Sequence, residues 1–134
     1  MTETEKAYIA GLFDGEGSVT CIQRKTKRND RGGKIYIQWD IRCEMSMTDR
    51  YIMEWVYEKL GFGSLKERKA HKSWLGKKTQ WRWRCGFRDA YSFAKIVWPH
   101  VQVKLHKIEQ IIDHYSPEDQ SHKGENVVNL EDYR

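Results

Sequence analysis

Few residues in this 134-residue chain could carry cysteine or zinc chemistry. The three cysteines, Cys21, Cys43 and Cys85, are widely spaced and form no CxxC pair. The five histidines show no compact ligand spacing, which disfavours a zinc-dependent nuclease. A serine or cysteine hydrolase has no better support. We therefore expect the cysteines to be buried free thiols.

Long apolar segments are also missing from the sequence. No run approaches the roughly 20 apolar residues that cross a bilayer. Residues 1–6 lack the basic and then apolar regions of a signal peptide. We therefore expect no membrane partner and an intracellular location, in the cytoplasm or in an organelle if the gene is encoded there.

The composition predicts one folded domain. A chain of this length has room for a single hydrophobic core, and 39% hydrophobic with 13% aromatic residues is enough to fill it. The mean hydropathy of -0.84 indicates a strongly polar surface. We expect the domain to occupy residues 1–116, followed by a polar, acidic and disordered tail over residues 117–134.

Positive charge is concentrated in the middle of the sequence. Residues 23–88 carry 18 basic and 7 acidic side chains, a net charge of +11, whereas the remainder has a net charge of -6. Basic residues that alternate with apolar ones along strands favour a polyanion-binding face. The alternative is a basic surface that is only solvated.

The clearest pattern is a strict alternation over residues 35–46, which predicts a strand with one core face and one polar face. Its apolar members are Ile35, Ile37, Trp39, Ile41, Cys43 and Met45. A similar pattern places Trp81, Trp83, Cys85 and Phe87 opposite arginines in a second strand. These two strands predict the core face of a sheet.

The remaining patterns predict the order helix, hairpin, helix, hairpin, helix, helix. The first helix covers residues 5–13 and stops at the glycine-rich run 14–18, and the first hairpin joins strands 19–27 and 35–46. Thr48 caps a helix that ends at Gly61, and a second hairpin joins strands 64–70 and 79–87. Asp89 caps a helix that Pro99 interrupts, and a last amphipathic helix ends near Pro117. Two hairpins can form one four-stranded antiparallel sheet with helices on its apolar face, an α+β fold.

The bare polar face of this sheet is suited to a DNA groove. By alternation, the residues predicted to contact DNA are Arg24, Thr26, Arg28, Gln38, Asp40, Arg42, Glu44, Lys66, Arg68, Arg82 and Arg84. Arginine can pair with guanine, glutamine with adenine, and carboxylates with cytosine. Loop residues are expected to hold phosphates: Arg31, Lys34, Lys69, Lys72, Lys77 and Lys78.

Residues 9–17 read I-A-G-L-F-D-G-E-G, which resembles the signature of the LAGLIDADG homing endonucleases. The predicted chain order also matches that family's αββαββα core over residues 5–116. A single copy of the motif is typical of the homodimeric branch. The resemblance implies a homodimer that hydrolyses both DNA strands of a long, near-palindromic site.

The motif also has a physical interpretation. Small side chains at Ala7, Ala10 and Gly11, with Asp14 beside them, would let two copies of the helix pair about a twofold axis. Glu16 of each chain would then meet its counterpart, and a divalent cation, Mg²⁺ or Mn²⁺, would lie between the carboxylates. The alternative for Glu16 is a solvated glutamate at a helix end.

The resemblance assigns roles to individual residues. Glu16 matches the family's metal-binding acid, usually aspartate, the Gly15 carbonyl can reach the metal, and Asp14 matches a structural acid. The sequence from Trp98-Pro99 to Val103-Lys104-Leu105 resembles the family's last helix, whose lysine lies near the scissile phosphate. Lys104 is therefore the second catalytic candidate. Its spacing alone is equally consistent with a surface lysine.

Met47 departs from the family pattern, because many members carry a glutamine there that contacts the catalytic water. A thioether cannot replace an amide in a hydrogen-bonded network. Asp49 or Arg50 could substitute for it. Two alternative functions therefore stay open: a maturase that binds intron RNA, and a sequence-specific DNA-binding protein that has lost cleavage.

Overall fold

The computed structural model describes residues 1–28, 32–70 and 78–116. Four helices are present: α1 (Glu3–Glu16), α2 (Arg50–Leu60), α3 (Arg88–Val97) and α4 (Leu105–Tyr115). Four strands accompany them: β1 (Gly17–Arg28), β2 (Lys34–Met47), β3 (Ser64–Arg68) and β4 (Gln80–Gly86). The predicted order of elements is confirmed. Within the described residues, no helix is long and apolar enough to span a membrane.

The two hairpins form one antiparallel sheet in the order β1-β2-β4-β3. Strands β2 and β4 lie at its centre, with Cys43 opposite Cys85 and Met45 opposite Trp83. In β1, Val19 lies opposite Cys43 and Cys21 opposite Ile41. Directly opposed residues of an antiparallel pair share a face, so the core face and the polar face are each continuous across the sheet.

The core lies between this sheet and the helices. Trp83 is its largest fully buried side chain, and the indole Nε1 donates a hydrogen bond to the Phe62 carbonyl at 3.1 Å. Phe93 of α3 lies against both Trp83 and Phe13, with ring centroids 4.9 Å apart in each case. These aromatic contacts fix α1 and α3 against the centre of the sheet.

The predicted core face of β2 is only half right. Ile41, Cys43 and Met45 are buried, but Ile35 and Ile37 are 66% and 61% exposed. Residues 34–41 of β2, which precede Arg42, pair with β1 alone, because β4 ends at Gly86 opposite Arg42. The alternation therefore continues into a two-stranded ribbon that the helices of the described chain do not cover.

Three helix starts differ from prediction. Helix α1 begins at Glu3, because Thr2 and Glu5 form a reciprocal capping box. Helix α2 is capped by the Asp49 side chain, which accepts from the Ile52 amide at 3.1 Å, and not by Thr48. Helix α3 has Phe87 at its N-cap, with φ of 53°, so Phe87 turns out of β4 and is exposed, contrary to the predicted core position.

The junction between α1 and β1 is the tightest part of the fold. Helix α1 continues through Gly15 to Glu16, past the predicted stop after Phe13. The Gly17 amide then donates to the Phe13 carbonyl, and the chain enters β1 at once. A Cβ on Gly17 would lie 2.3 Å from the Phe13 ring and 2.6 Å from its carbonyl oxygen. Only glycine fits at this position.

We expect Gly17→Ala to lower the free energy of unfolding by about 1–3 kcal/mol, because the added methyl forces buried Phe13 or its backbone to move. Gly15→Ala is the matched control, since a Cβ there meets nothing within 4 Å and alanine favours the helix by up to about 1 kcal/mol. Urea denaturation of both variants measures the difference. Equal stability of the two variants would contradict the described junction.

Candidate active site and nucleic-acid face

The C-terminal end of α1 is built to attract a cation. Glu16 and Gly15 are both exposed there, and the last turn of the helix contains no basic residue. The final carbonyls of a helix lack intrahelical donors and carry the negative end of its dipole. A carboxylate and backbone oxygens therefore share a region of negative potential, which we call the acidic helix end (Asp14, Gly15 and Glu16).

Asp14 connects the acidic helix end to the segment before α4. Its carboxylate accepts hydrogen bonds from the backbone N–H of Gln102 at 2.8 Å and from the backbone N–H of Lys104 at 3.0 Å. The Lys104 ammonium donates in turn to the Asp14 carbonyl at 3.3 Å. The structure therefore brings Lys104 to the acidic helix end. Both carboxylate oxygens of Asp14, predicted at a dimer interface, are engaged within its own chain.

The oxygen donors at the acidic helix end suit a hard divalent cation but do not complete a site in one chain. Mg²⁺ prefers carboxylate and carbonyl oxygens, which Glu16 and Gly15 supply. In the described parts of the chain, no three His, Cys, Asp or Glu side chains lie close enough to hold a metal. Within one described chain, Glu16 and Gly15 therefore supply only part of the oxygen shell that such a cation needs.

Met47 has a structural role. It lies opposite Trp81 and packs, partly buried, against the hydrophobic core. Alternation places its neighbour Ser46 on the polar face, opposite Arg82. The position in which the family resemblance implies an amide is therefore occupied by a side chain that fills space between the sheet and the helices.

The strand register brings the predicted DNA-contact residues onto one surface. Opposed pairs on this surface include Arg24 with Gln38, Glu44 with Arg84, and Lys66 with Arg82. We call this surface the polar sheet face; its members are Ser18, Thr20, Ile22, Arg24, Thr26, Gln38, Asp40, Arg42, Glu44, Ser46, Ser64, Lys66, Arg68, Arg82 and Arg84. The register therefore places these predicted contact residues on one side of the sheet, while the DNA contacts themselves stay predictions.

The remaining predicted contacts are distributed differently. Arg28 lies two residues after Thr26 at the end of β1, where it is paired with Lys34. Lys34, Lys69 and Lys78 are exposed near the ends of strands. Other predicted phosphate contacts lie outside the described residues, namely Arg31, Lys72 and Lys77, as does the predicted tail over residues 117–134.

Two acids on the polar sheet face are held by arginines from neighbouring strands. Asp40 accepts from Arg24 at 3.0 Å and lies 3.9 Å from Arg42. Glu44 accepts from Arg84 at 2.9 Å. In the free protein these carboxylates therefore orient guanidinium groups. The sequence did not predict these pairs, because they depend on the register between strands.

Positive charge remains in excess on this face despite the two acids. The pKa of Arg82 is lowered from its usual value, first by partial burial and then by the neighbouring charges of Arg84 and Arg68. Burial and neighbouring positive charges disfavour the charged form of a guanidinium, and an approaching anion stabilises it again. The charge at the centre of the polar sheet face therefore favours the approach of an anion.

The outer side of α1 carries a stripe of small residues. Ala7 and Gly11 are exposed, and a Cβ on Gly11 would meet nothing within 4 Å. The prediction for Ala10 is wrong, because it is fully buried in its own chain's core and has no surface to offer a partner. Tyr8, which the sequence did not single out, is 51% exposed and packs edge-on against Trp55 of α2.

We expect Asp14→Ala to destabilise the chain by about 1–3 kcal/mol, because the amides of Gln102 and Lys104 lose their charged acceptor. Glu58→Ala, which removes an exposed carboxylate from α2, serves as the control and should change stability by no more than about 0.5 kcal/mol. Urea denaturation measures both variants. If Asp14→Ala is as stable as the control, the two hydrogen bonds do not hold α4 to α1.

The sequence and the fold both match known endonucleases. Residues 9–85, more than half of the chain, match the LAGLIDADG endonuclease family. None of the curated proteins matches the chain in sequence. The fold is similar to that of the homing endonuclease I-CvuI in complex with its target in the presence of Ca, with a TM-score of 0.63 and 17% identity. That comparison covers 89% of this chain and 73% of the I-CvuI chain.

Two further complexes resemble the chain to a similar degree. The archaeal intron-encoded homing endonuclease I-Vdi141I, complexed with DNA, gives a TM-score of 0.60 and 17% identity over 83% of this chain and 66% of that one. A complex of I-CvuI with the I-CreI target in the presence of Mg, in which the DNA is not cleaved, gives 0.61 and 16% over 80% of this chain. This chain spans 62% of that I-CvuI chain's length. Since the family match extends from the first helix through the last strand of the sheet, the chain belongs to the LAGLIDADG endonuclease family.

Proposed function

We propose that the chain is a homodimeric homing endonuclease that hydrolyses DNA phosphodiesters on both strands of a long, near-palindromic site with a divalent metal ion. One observation carries this proposal: the acidic helix end leads directly into the polar sheet face. Glu16 is followed by Gly17, and Ser18 already lies on that face opposite Glu44. A duplex held by the arginines therefore passes beside the exposed carboxylate.

Each part of the site has a distinct task in this proposal. The Glu16 carboxylate and the Gly15 carbonyl would hold Mg²⁺ or Mn²⁺, which polarises the phosphodiester and lowers the pKa of an attacking water when bound. Lys104, fixed by Asp14, supplies positive charge that stabilises the developing oxyanion or orients water. The polar sheet face binds the duplex and reads its bases.

A second copy of the chain completes the site. Ala7 and Gly11 leave the outer side of α1 without bulky side chains, so two helices can approach closely about a twofold axis. This arrangement gathers two Glu16 carboxylates, which repel each other unless cations lie between them. A symmetric protein then requires a nearly symmetric target. The DNA complexes of I-CvuI and I-Vdi141I support duplex DNA as the substrate class.

Binding without cleavage is the second candidate function. Met47 favours it, because its thioether packs against the core and cannot position a water molecule at the acidic helix end. A protein of this kind would still select a duplex site through the polar sheet face. Comparing affinity for the selected duplex with affinity for structured intron RNA distinguishes either function from a maturase.

Selection of cleaved sites from a randomised duplex library with Mg²⁺ present tests the proposal. We expect a near-palindromic consensus, and we expect Glu16→Gln to abolish cleavage of it because the amide cannot neutralise a divalent cation. Affinity for the duplex should stay within about threefold, since the polar sheet face is unchanged. Chelation with EDTA should stop cleavage by the unchanged protein.

Glu109→Gln on α4 is a matched control and should retain cleavage. Cutting by Glu16→Gln at the rate of the unchanged chain would refute the assignment of the metal ligand. Selection of a bound site that is never cut, with or without Mg²⁺, would instead establish the second candidate function.

We expect Gly11→Leu to prevent dimer formation, because a large side chain on the exposed stripe separates the two helices. The unfolding free energy of the monomer should not fall, since a Cβ at this position meets nothing within 4 Å. Sedimentation velocity measures the mass, which should change from twice 16.0 kDa to 16.0 kDa. Ala70→Leu, a substitution of an exposed alanine beyond β3, should leave the dimer intact. A dimer that persists in Gly11→Leu places the twofold axis elsewhere.

A further inference from the structure

The β1–β2 hairpin presents an apolar surface on the side opposite the polar sheet face. Ile35, Ile37 and Trp39 alternate with polar residues and are 66%, 61% and 39% exposed. They share a face with buried Ile41; helix α4 reaches Trp39 through His114, whereas Ile35 and Ile37 stay exposed. Together with Lys25, which lies opposite Ile37, they form what we call the hairpin back.

This part of the sheet lacks support of its own. Before Arg42, β2 has only β1 as a neighbour, because its pairing with β4 starts at Arg42 opposite Gly86. An isolated two-stranded ribbon is at best marginally stable in water unless another element packs on it. The hairpin back therefore requires a covering segment more than an ordinary exposed surface does.

The hairpin back begins where the described chain ends. The Trp39 ring lies 4.3 Å from the ring of His114 in the last turn of α4. A cavity of about 390 Å³ opens at this junction and is lined by Cys21, Trp39, Gln110, Asp113 and His114. Helix α4 ends at Tyr115, one residue after His114 in the cavity wall.

The segment that follows has a composition complementary to the hairpin back. Residues 117–134 lie outside the described chain; they carry five acidic and two basic side chains, a net charge of -3. Their apolar residues are confined to the second half, namely Val127, Val128, Leu130 and Tyr133. Near the hairpin back, Lys25, Lys34 and Lys107 are exposed and basic. The segment is acidic with apolar residues in its second half, and the hairpin back is apolar with basic residues near it, so the two are complementary in charge and in apolar character.

The length of the segment is sufficient for it to reach. Ten residues, 117–126, can span up to about 33 Å when extended. Trp39 and Ile35 lie four residues apart in β2, which is about 13 Å along the strand. Residues 127–133 can extend up to about 20 Å, so they are long enough to cover the hairpin back.

We propose that residues 127–133 of the same chain pack on the hairpin back and cover Ile35, Ile37 and Trp39. This contact leaves the polar sheet face open, since the two faces of β2 point in opposite directions. It also stiffens the strands that carry Arg24 and Gln38. The C-terminal segment is thus an internal brace for the DNA-reading hairpin, a role that does not depend on cleavage.

Hydrogen–deuterium exchange of the full-length protein, without DNA or metal, tests the proposal. Val128→Asp should make amides within residues 35–39 exchange about tenfold faster, because the hairpin loses its cover. Asn129→Asp adds the same charge one residue away without removing an apolar side chain, and should leave the exchange unchanged. Ile37→Ser should expose the amides of residues 127–133, whereas Gln38→Ser, on the opposite face of the same strand, should not.

Other occupants give different results in the same experiment. Exchange at residues 35–39 that is equal in Val128→Asp and the unchanged protein overturns the proposal. Protection that increases with protein concentration assigns the hairpin back to a second copy and also overturns it. If residues 35–39 become protected only when the measurement is repeated with duplex DNA, the surface binds DNA and the proposal is also overturned. Far-UV circular dichroism confirms that each variant is folded.

Discussion

One carboxylate, that of Asp14, assembles the candidate active site. Its partners Gln102 and Lys104 lie about ninety residues further along the chain. Because these two hydrogen bonds are only partly shielded from water, they contribute about 1–3 kcal/mol together, which is still a large fraction of the stability of a small domain. They fix the start of α4 against the end of α1, and Lys104 reaches the acidic helix end as a result. The tight junction at Gly17 then leaves Glu16 exposed two residues after Asp14.

The strand pattern made the sheet predictable, whereas the details of α1 were not. Alternation around Ile41 and Trp83 assigned the two faces correctly because a period of two leaves one solution for each strand. In α1, the residues Ala7, Ala10 and Gly11 are all small, and size alone cannot say which of them face outward. Ala10 lies one turn before Phe13 and shares its buried side. A helical projection that starts from Phe13 could have found this.

Contacts between distant residues set the remaining limits. Glycine at position 15 predicted a helix end, but its penalty of about 1 kcal/mol is smaller than the stabilisation from buried Phe13 and hydrogen-bonded Asp14, the two residues before it. In the order β1-β2-β4-β3, β2 has β4 as a second neighbour only from Arg42 onward. The first half of its alternation, with Ile35 and Ile37, is therefore exposed. Neither the pairing partner of Asp14 nor the place where β4 ends can be obtained from local propensity.

The charges on the polar sheet face favour recognition over stability of the free protein. Pairs such as Arg24 with Asp40 and Arg84 with Glu44 are partly exposed, and pairs of this kind contribute at most about 1 kcal/mol each. Arg82 has no comparable benefit, because burial and the charges of Arg84 and Arg68 lower its pKa. In the proposed DNA complex, phosphates that approach this face would relieve that repulsion, and the acids would keep the guanidinium groups oriented toward the bases. The same arginines, arranged by the same two carboxylates, would then supply both binding energy and selectivity among bases.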